Sequence, residues 1–294
     1  MKNQYTRRNV LKNMAGGAAV LTSAMLLPEP LRAAELKEIK LKGKIKHSVC
    51  KWTFNDMPLE ELCKAAKGLG LSSIELLGPD DWPTLKKHGL TCAMAWGAEK
   101  GLTDGFNEPK YHDELVARYE AMIPKVAAAG LDNLICFSGN RNGMSDEQGM
   151  QNCAKGLKRL MPTAEKHKVT LSMELLNSKI DHKDYMCDHT KWGVELAKMI
   201  DSDRFKLLYD IYHMQIMEGD VIRTIKEYHP YISHYHTAGV PGRHEIDNTQ
   251  ELYYPAIMRA IADTGFKGYV GQEFIPVSKN PLASLRESIV ICDV

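Results

Sequence analysis

The 294-residue chain has no pair of cysteines at CxxC spacing. Its seven (Cys50, Cys63, Cys92, Cys136, Cys153, Cys187 and Cys292) are scattered and odd in number. Neither a disulfide framework nor a zinc cluster is indicated. No glycine-rich phosphate loop follows the first strand-like run, so the main mark of a dinucleotide-binding sheet is missing. Residues 40–294 contain no linker, low-complexity run or block of like charge, and one domain is the simplest organisation. No charge of one sign dominates. The formal net charge is +1, which gives no electrostatic reason to expect nucleic acid or an anionic membrane surface as a partner.

That near-neutral figure hides an asymmetry. Residues 1–34 carry Lys2, Arg7, Arg8, Lys12 and Arg32 against Glu29 alone, a net of +4. The remaining 33 basic and 36 acidic residues give the rest of the chain −3. The leader has a basic front, a weakly apolar stretch from Met14 to Leu27, and small residues Ala33 and Ala34 where cleavage could occur. This is the order of an export signal, and the stretch is too short and glycine-softened to span a bilayer. The bland alternative is an amphipathic N-terminal helix or an uncleaved anchor. TRRNVLK resembles the twin-arginine export motif, with Arg7 and Arg8 as the pair. We expect residues 1–34 to be an export signal and the mature protein to be periplasmic or otherwise exported, with no stable membrane span. Unpaired cysteines fit that route, because twin-arginine export carries proteins already folded and buried thiols stay buried.

What is present is ample for a large core: 44% of residues are hydrophobic and 26% charged. Beyond the leader, short β-like runs alternate with amphipathic ones. The strand candidates are 45–50, 72–77, 90–96, 133–139, 169–176, 205–210, 232–236 and 269–274. Between them, stretches such as 58–70, 114–130, 192–200 and 251–265 repeat apolar residues at three- and four-residue intervals, as helices do. Eight such units in about 250 residues predict an α/β fold, a single (β/α)8 barrel over residues 40–294. An open doubly wound sheet is the alternative.

In such a barrel the site lies at the C-terminal strand ends. The last four strand candidates end on Glu174, Asp210, His236 and Glu273. Each alone has an ordinary explanation: a helix cap for Asp210, a hydrogen-bonded core histidine for His236, a lysine pair for either glutamate. Together they would repel or stay unsatisfied without a cation. Three carboxylates and one imidazole suit an octahedral divalent ion, with Mn2+ or Mg2+ favoured and Co2+, Fe2+ or Zn2+ compatible. No thiolate belongs to the set, which argues against structural zinc.

These residues, with YDIYHMQIMEG (209–219), E-x-x-N at Glu174–Asn177 and the glycine-containing run from Gly239 to Ile246, resemble the xylose-isomerase-like barrel superfamily. Within it the chain is most similar to the hydroxypyruvate isomerase family and its ketose 3-epimerase relatives, over roughly residues 44–280. The resemblance implies a metal held by Glu174, Asp210, His236 and Glu273, with Glu174 and Glu273 doubling as proton-transfer groups. His236 matches the epimerases, and the PGRHEID loop departs from the isomerase pattern, so the substrate stays open.

The implied activity is a metal-dependent isomerase or epimerase of a small hydroxy-carbonyl or keto-sugar substrate. The ion would acidify the substrate C–H by stabilising an enediolate, and the glutamates would move the proton. His213 could bind a substrate hydroxyl or carbonyl or serve as a helix-start histidine; Arg243 could hold a substrate carboxylate or sugar oxygen or be a solvated loop arginine. Trp52 and Phe54 could wall a sugar ring, and Glu75 could orient a ligand from behind. His182 and His189 receive no role. The competing classes are a lyase or dehydratase acting on a keto-sugar or inosose-like compound, a DNA-repair endonuclease disfavoured by the −3 charge, and a non-catalytic carbohydrate-binding barrel. The expected partner is a sugar or keto-acid, and homo-oligomer formation is left open.

Overall fold

A computed structural model describes residues 39–294; the expected export signal lies outside them. Seven parallel strands form one curled sheet: β1 (Lys46–Cys50), β2 (Ser73–Glu75), β3 (Asn133–Cys136), β4 (Thr170–Glu174), β5 (Phe205–Asp210), β6 (Ile232–Thr237) and β7 (Tyr269–Gln272), in the order β2-β1-β7-β6-β5-β4-β3. All five residues of β4 are buried, as expected of a parallel strand covered on both faces.

The eighth predicted strand, 90–96, closes the barrel in broken form. Thr91 bridges Ser73, and Ala95 bridges both Leu77 and Leu134, all parallel. The ladder breaks at Ala93. Its N–H goes to the Ser73 hydroxyl at 2.8 Å, and its carbonyl accepts from Asn133 Nδ2 at 3.0 Å. Two side chains thus take the backbone groups that a continuous strand would have paired. The barrel is closed, with seven regular strands and one irregular one.

Helices cover the outside: α1 (Leu59–Gly68), α2 (Trp82–Lys87), α3 (His112–Ala128), α4 (Asp146–Lys158), α5 (Met161–His167), α6 (Thr190–Ile200), α7 (Ile211–Met217), α8 (Val221–Tyr228), α9 (Tyr254–Asp263) and α10 (Pro281–Cys292). In α3 the buried side chains Leu115, Val116, Tyr119, Met122, Ile123 and Val126 recur at the spacing that places them on one face. Ser145 caps α4 by accepting from the Gln148 N–H. Among the described residues no helix is long and apolar enough to cross a membrane. All seven cysteines are buried and unpaired.

Candidate metal centre

Glu174 and Asp210 are the last residues of β4 and β5, His236 lies one residue before the end of β6, and Glu273 follows β7 directly. Asp210 and His236 are register partners across β5 and β6. The parallel sheet therefore delivers all four side chains to one rim, where a ligand atom from each lies within 4.8 Å of the others. All four are buried.

Asp210 splits its two oxygens between two tasks. Oδ1 caps α7, accepting from the N–H groups of Tyr212 at 2.8 Å and His213 at 3.2 Å. Oδ2 is buried and makes no hydrogen bond. Helix capping and presentation of a ligand atom thus coexist in one side chain, and an orphaned buried carboxylate oxygen is costly unless something cationic meets it.

His236 is held from behind. Glu75, fully buried on β2, places Oε1 2.7 Å from His236 Nε2 and 2.6 Å from His234 Nε2. Burial pushes the Glu75 carboxyl up, but the two imidazoles outweigh it and hold it at about 2. An ionised carboxylate only accepts, so both Nε2 atoms donate. That leaves His236 Nδ1 facing the rim, 3.0 Å from Glu273 Oε2 and 3.2 Å from Glu174 Oε1. Gly271 is the β7 neighbour of His236. A Cβ there would sit 2.6 Å from Glu75 Oε1 and 3.0 Å from His236 Cδ2, so glycine makes the room for this pair.

Positive charge falls short of the acids. Burial, then repulsion from Glu273, pushes Glu174 up, and the same two causes push Asp210 well up. Burial also works against ionised Glu273, but His236 and Arg243 reverse it and hold Glu273 well below the usual carboxylate range. Burial disfavours the His236 cation, yet Glu273 raises it well above its ordinary value. Three buried carboxylates share one guanidinium and one imidazole, so the donor set fits a divalent cation: the His236 Nδ1 lone pair that carries a proton here is the one a metal would use.

Arg243 and Trp52 both grip Glu273. Arg243, in the loop after β6 with its backbone at φ +60°, sends NH2 to Glu273 Oε2 at 2.6 Å and lies 3.7 Å from Asp210 Oδ2. The Trp52 indole N–H donates to Glu273 Oε1 at 2.8 Å, and the guanidinium lies 5.1 Å from the Trp52 ring centroid. His213 is fully buried; its Nδ1 accepts from Asn177 Nδ2 at 2.6 Å and its Nε2 lies 3.6 Å from Asp210 Oδ2. Burial, then Arg243, pushes the His213 imidazole well down, so it is a neutral neighbour of Asp210. Phe54 packs edge-on against Phe274 in the core.

Above the four residues opens a cavity of about 440 Å³. Glu174, Glu273, Arg243 and His182 line it, together with Trp52, Leu76, Trp96, Leu102, Phe137 and Leu176. His182 was missed in the sequence. Its ring sits edge-on to His213 at 5.2 Å, and burial followed by Arg243 pushes its pKa down. The apolar wall was also missed, because a leucine or aromatic just past a strand reads as core. The one available signal was position: Leu76, Trp96 and Phe137 each follow a strand or bridge directly, as Glu273 does.

A model of the family described as xylose isomerase-like TIM barrel matches residues 63–290. The chain is 25% identical over 234 residues to 2-oxo-tetronate isomerase of Haemophilus influenzae, covering 76% of this chain and 90% of that protein. It is 33% identical over 104 residues to a human protein named as a candidate hydroxypyruvate isomerase, a match spanning 35% of this chain and 38% of the relative's length. Among solved structures, an AP endonuclease of family 2 from Brucella melitensis superposes with a TM-score of 0.73 at 25% identity, covering 82% of this chain and 97% of the other.

Proposed function

The chain belongs to the xylose isomerase-like TIM barrel family, and from that premise we propose that it is a divalent-metal-dependent isomerase or epimerase acting on a hydroxy-carbonyl substrate. The observation that carries this reading is the convergence of Glu174, Asp210, His236 and Glu273, with Asp210 Oδ2 buried and without a hydrogen bond, its one cationic neighbour among the described residues being Arg243 at 3.7 Å. The similarity to proteins named as isomerases supports it.

A bound divalent ion would supply Lewis-acid polarisation of the substrate carbonyl, which acidifies the neighbouring C–H. The protein would hold that ion through the four side chains, with Glu75 fixing the ring nitrogen that His236 presents. Glu174 and Glu273 then differ as proton carriers. Both oxygens of Glu273 are occupied, by Trp52 and by Arg243, which keeps it ionised and lowers its basicity. Glu174 is met only through Oε1, by His236, and burial raises its proton affinity. We assign proton abstraction to Glu174, which for an isomerase also returns the proton it took; an epimerase would need Glu273 to take up a proton before delivering it to the opposite face. Acids and apolar side chains dominate the mouth, and its single guanidinium is already engaged; a nucleic-acid backbone finds little there.

The test is elemental analysis of purified protein, followed by a screen of the Mn2+- or Mg2+-loaded enzyme on keto-sugars and keto-acids in deuterated water. Carbon-bound deuterium that appears with the ion and vanishes on chelation is expected. An ultraviolet-absorbing unsaturated product would instead establish a lyase, and metal binding without exchange on any substrate would refute the isomerase. We further propose export through Arg7 and Arg8. Replacing both by Lys should leave precursor in the cytoplasm, and normal processing of that variant would refute the assignment.

A further inference from the structure

The eight strand ends divide the barrel mouth into two arcs. Going round the sheet, β4, β5, β6 and β7 carry Glu174, Asp210, His236 and Glu273 at or within one residue of their ends. Just past the ends of the other four lie Trp52 (β1), Leu76 (β2), Trp96 (the bridging segment) and Phe137 (β3), all lining the cavity, while Glu75, the last residue of β2, is bonded to His236 and does not line it. From this division we infer that the mouth takes a neutral keto-sugar bearing an apolar substituent, rather than a free 2-oxo acid of the kind named for the relatives. The inference rests on the proposed binding of a hydroxy-ketone at the acidic arc, and it adds what occupies the opposite arc.

Three observations carry it. The apolar arc is a built wall: Trp96 and Phe137 meet edge-on at 5.7 Å, with Leu76 and Leu102 beside them. Leu76 sits at φ +59°, a backbone state that a leucine rarely adopts and that surrounding structure must enforce. A position held in that state and lined into the cavity points to a shaped surface, not an incidental one. Second, size: about 440 Å³ lies within the roughly 300–1,000 Å³ of pockets that bury drug-sized ligands, far more than a three- or four-carbon acid fills. Third, charge: Arg243 is the only permanent cation lining the cavity among the described residues, and it is already bonded to Glu273. One guanidinium and one divalent ion balance the three carboxylates, so a substrate carboxylate, even where it met the ion, would add an uncompensated negative charge to a desolvated site. A neutral hydroxy-ketone adds no charge, and its apolar substituent gains by leaving water.

The probes are a phenyl keto-glucoside, D-fructose and hydroxypyruvate, each titrated into Mn2+-loaded full-length protein by calorimetry and tryptophan fluorescence. Burying a phenyl group should tighten binding by about 10–100-fold over D-fructose, with a more negative heat-capacity change. Hydroxypyruvate should bind at least tenfold more weakly than the phenyl compound. Leu102→Lys, which places a cation in the apolar arc on a partly exposed loop, should narrow or invert that last ratio. Hydroxypyruvate binding as tightly as the phenyl compound to the wild type would overturn the inference, as would a phenyl compound no tighter than D-fructose or no binding of any probe. These results are separable from a failure of the isomerase reading: the expected order of affinities without deuterium exchange would sink the reaction and leave the divided mouth standing, whereas exchange on a tightly bound 2-oxo acid would do the reverse.

Discussion

Replacing Glu75 by Gln should weaken metal binding far more than it weakens the fold. The carboxylate accepts from His236 and His234 through one oxygen, at 2.7 and 2.6 Å, while Oε2 has no partner. Gln can keep its carbonyl toward the imidazoles, which turns two charge-assisted bonds into neutral ones and buries an unsatisfied amide N–H. Or it can turn its NH2 toward His236 Nε2, which forces the ring proton onto Nδ1, the atom needed for the cation. Either outcome costs about 10–100-fold in metal affinity, the usual worth of a residue that orients a metal-binding histidine, or about 1.4–2.7 kcal/mol at 1.36 kcal/mol per decade. For the metal-free fold, losing bonds worth about 1.5–3 kcal/mol each to a charged group is offset by no longer desolvating a carboxylate. A net change under about 2 kcal/mol is expected. Glu75→Ala keeps neither polar atom and leaves a cavity, so it should cost about 3–5 kcal/mol. Calorimetric Mn2+ titration, chemical denaturation of the metal-free protein and 15N NMR of the His236 ring check all three points. Metal affinity of Glu75→Gln within threefold of wild type, with the Nε2–H tautomer unchanged, would refute the argument.

Other consequences are equally direct. Gly271→Ala should destabilise the protein by about 1–3 kcal/mol through overpacking and lower metal affinity with it, because its Cβ meets Glu75 at 2.6 Å; a thermal melt and a metal titration unchanged from wild type would contradict this. Glu174→Gln and Glu273→Gln should each cut turnover by about 10²–10⁴-fold while the amide oxygen keeps most of the metal affinity, and near-normal turnover in both would move the base elsewhere. His47, buried on β1 with neither ring nitrogen hydrogen-bonded, is pushed by burial from 6.5 down to about 4. The folded state therefore resists a proton that the unfolded chain accepts. Stability is intact above about pH 6.5 and falls by about 3 kcal/mol as the pH drops to about 4. In denaturant titrations at pH 7 and 4.5, His47→Leu should show a shallower loss than wild type, and equal losses would refute the assignment.

Alternating apolar periods, and the polar residues that interrupt them, were enough to predict eight β/α units and the four strand-end side chains Glu174, Asp210, His236 and Glu273. Both are local properties: a strand's end and a helix's face are written in neighbouring residues, and barrel closure then brings the ends together without further instruction. What the tertiary structure decided are relations between residues far apart in the chain. Glu75 supports His236 across 161 positions and Trp52 grips Glu273 across 221, distances at which spacing carries no signal. The same holds for Asp210, where a cap and an orphaned oxygen turned out to be two atoms of one carboxylate, and for 90–96, where Ser73 and Asn133 take the backbone groups of Ala93. The division of the mouth into acidic and apolar arcs belongs here too, since a leucine or tryptophan after a strand reads as core until the barrel shows that it faces a cavity.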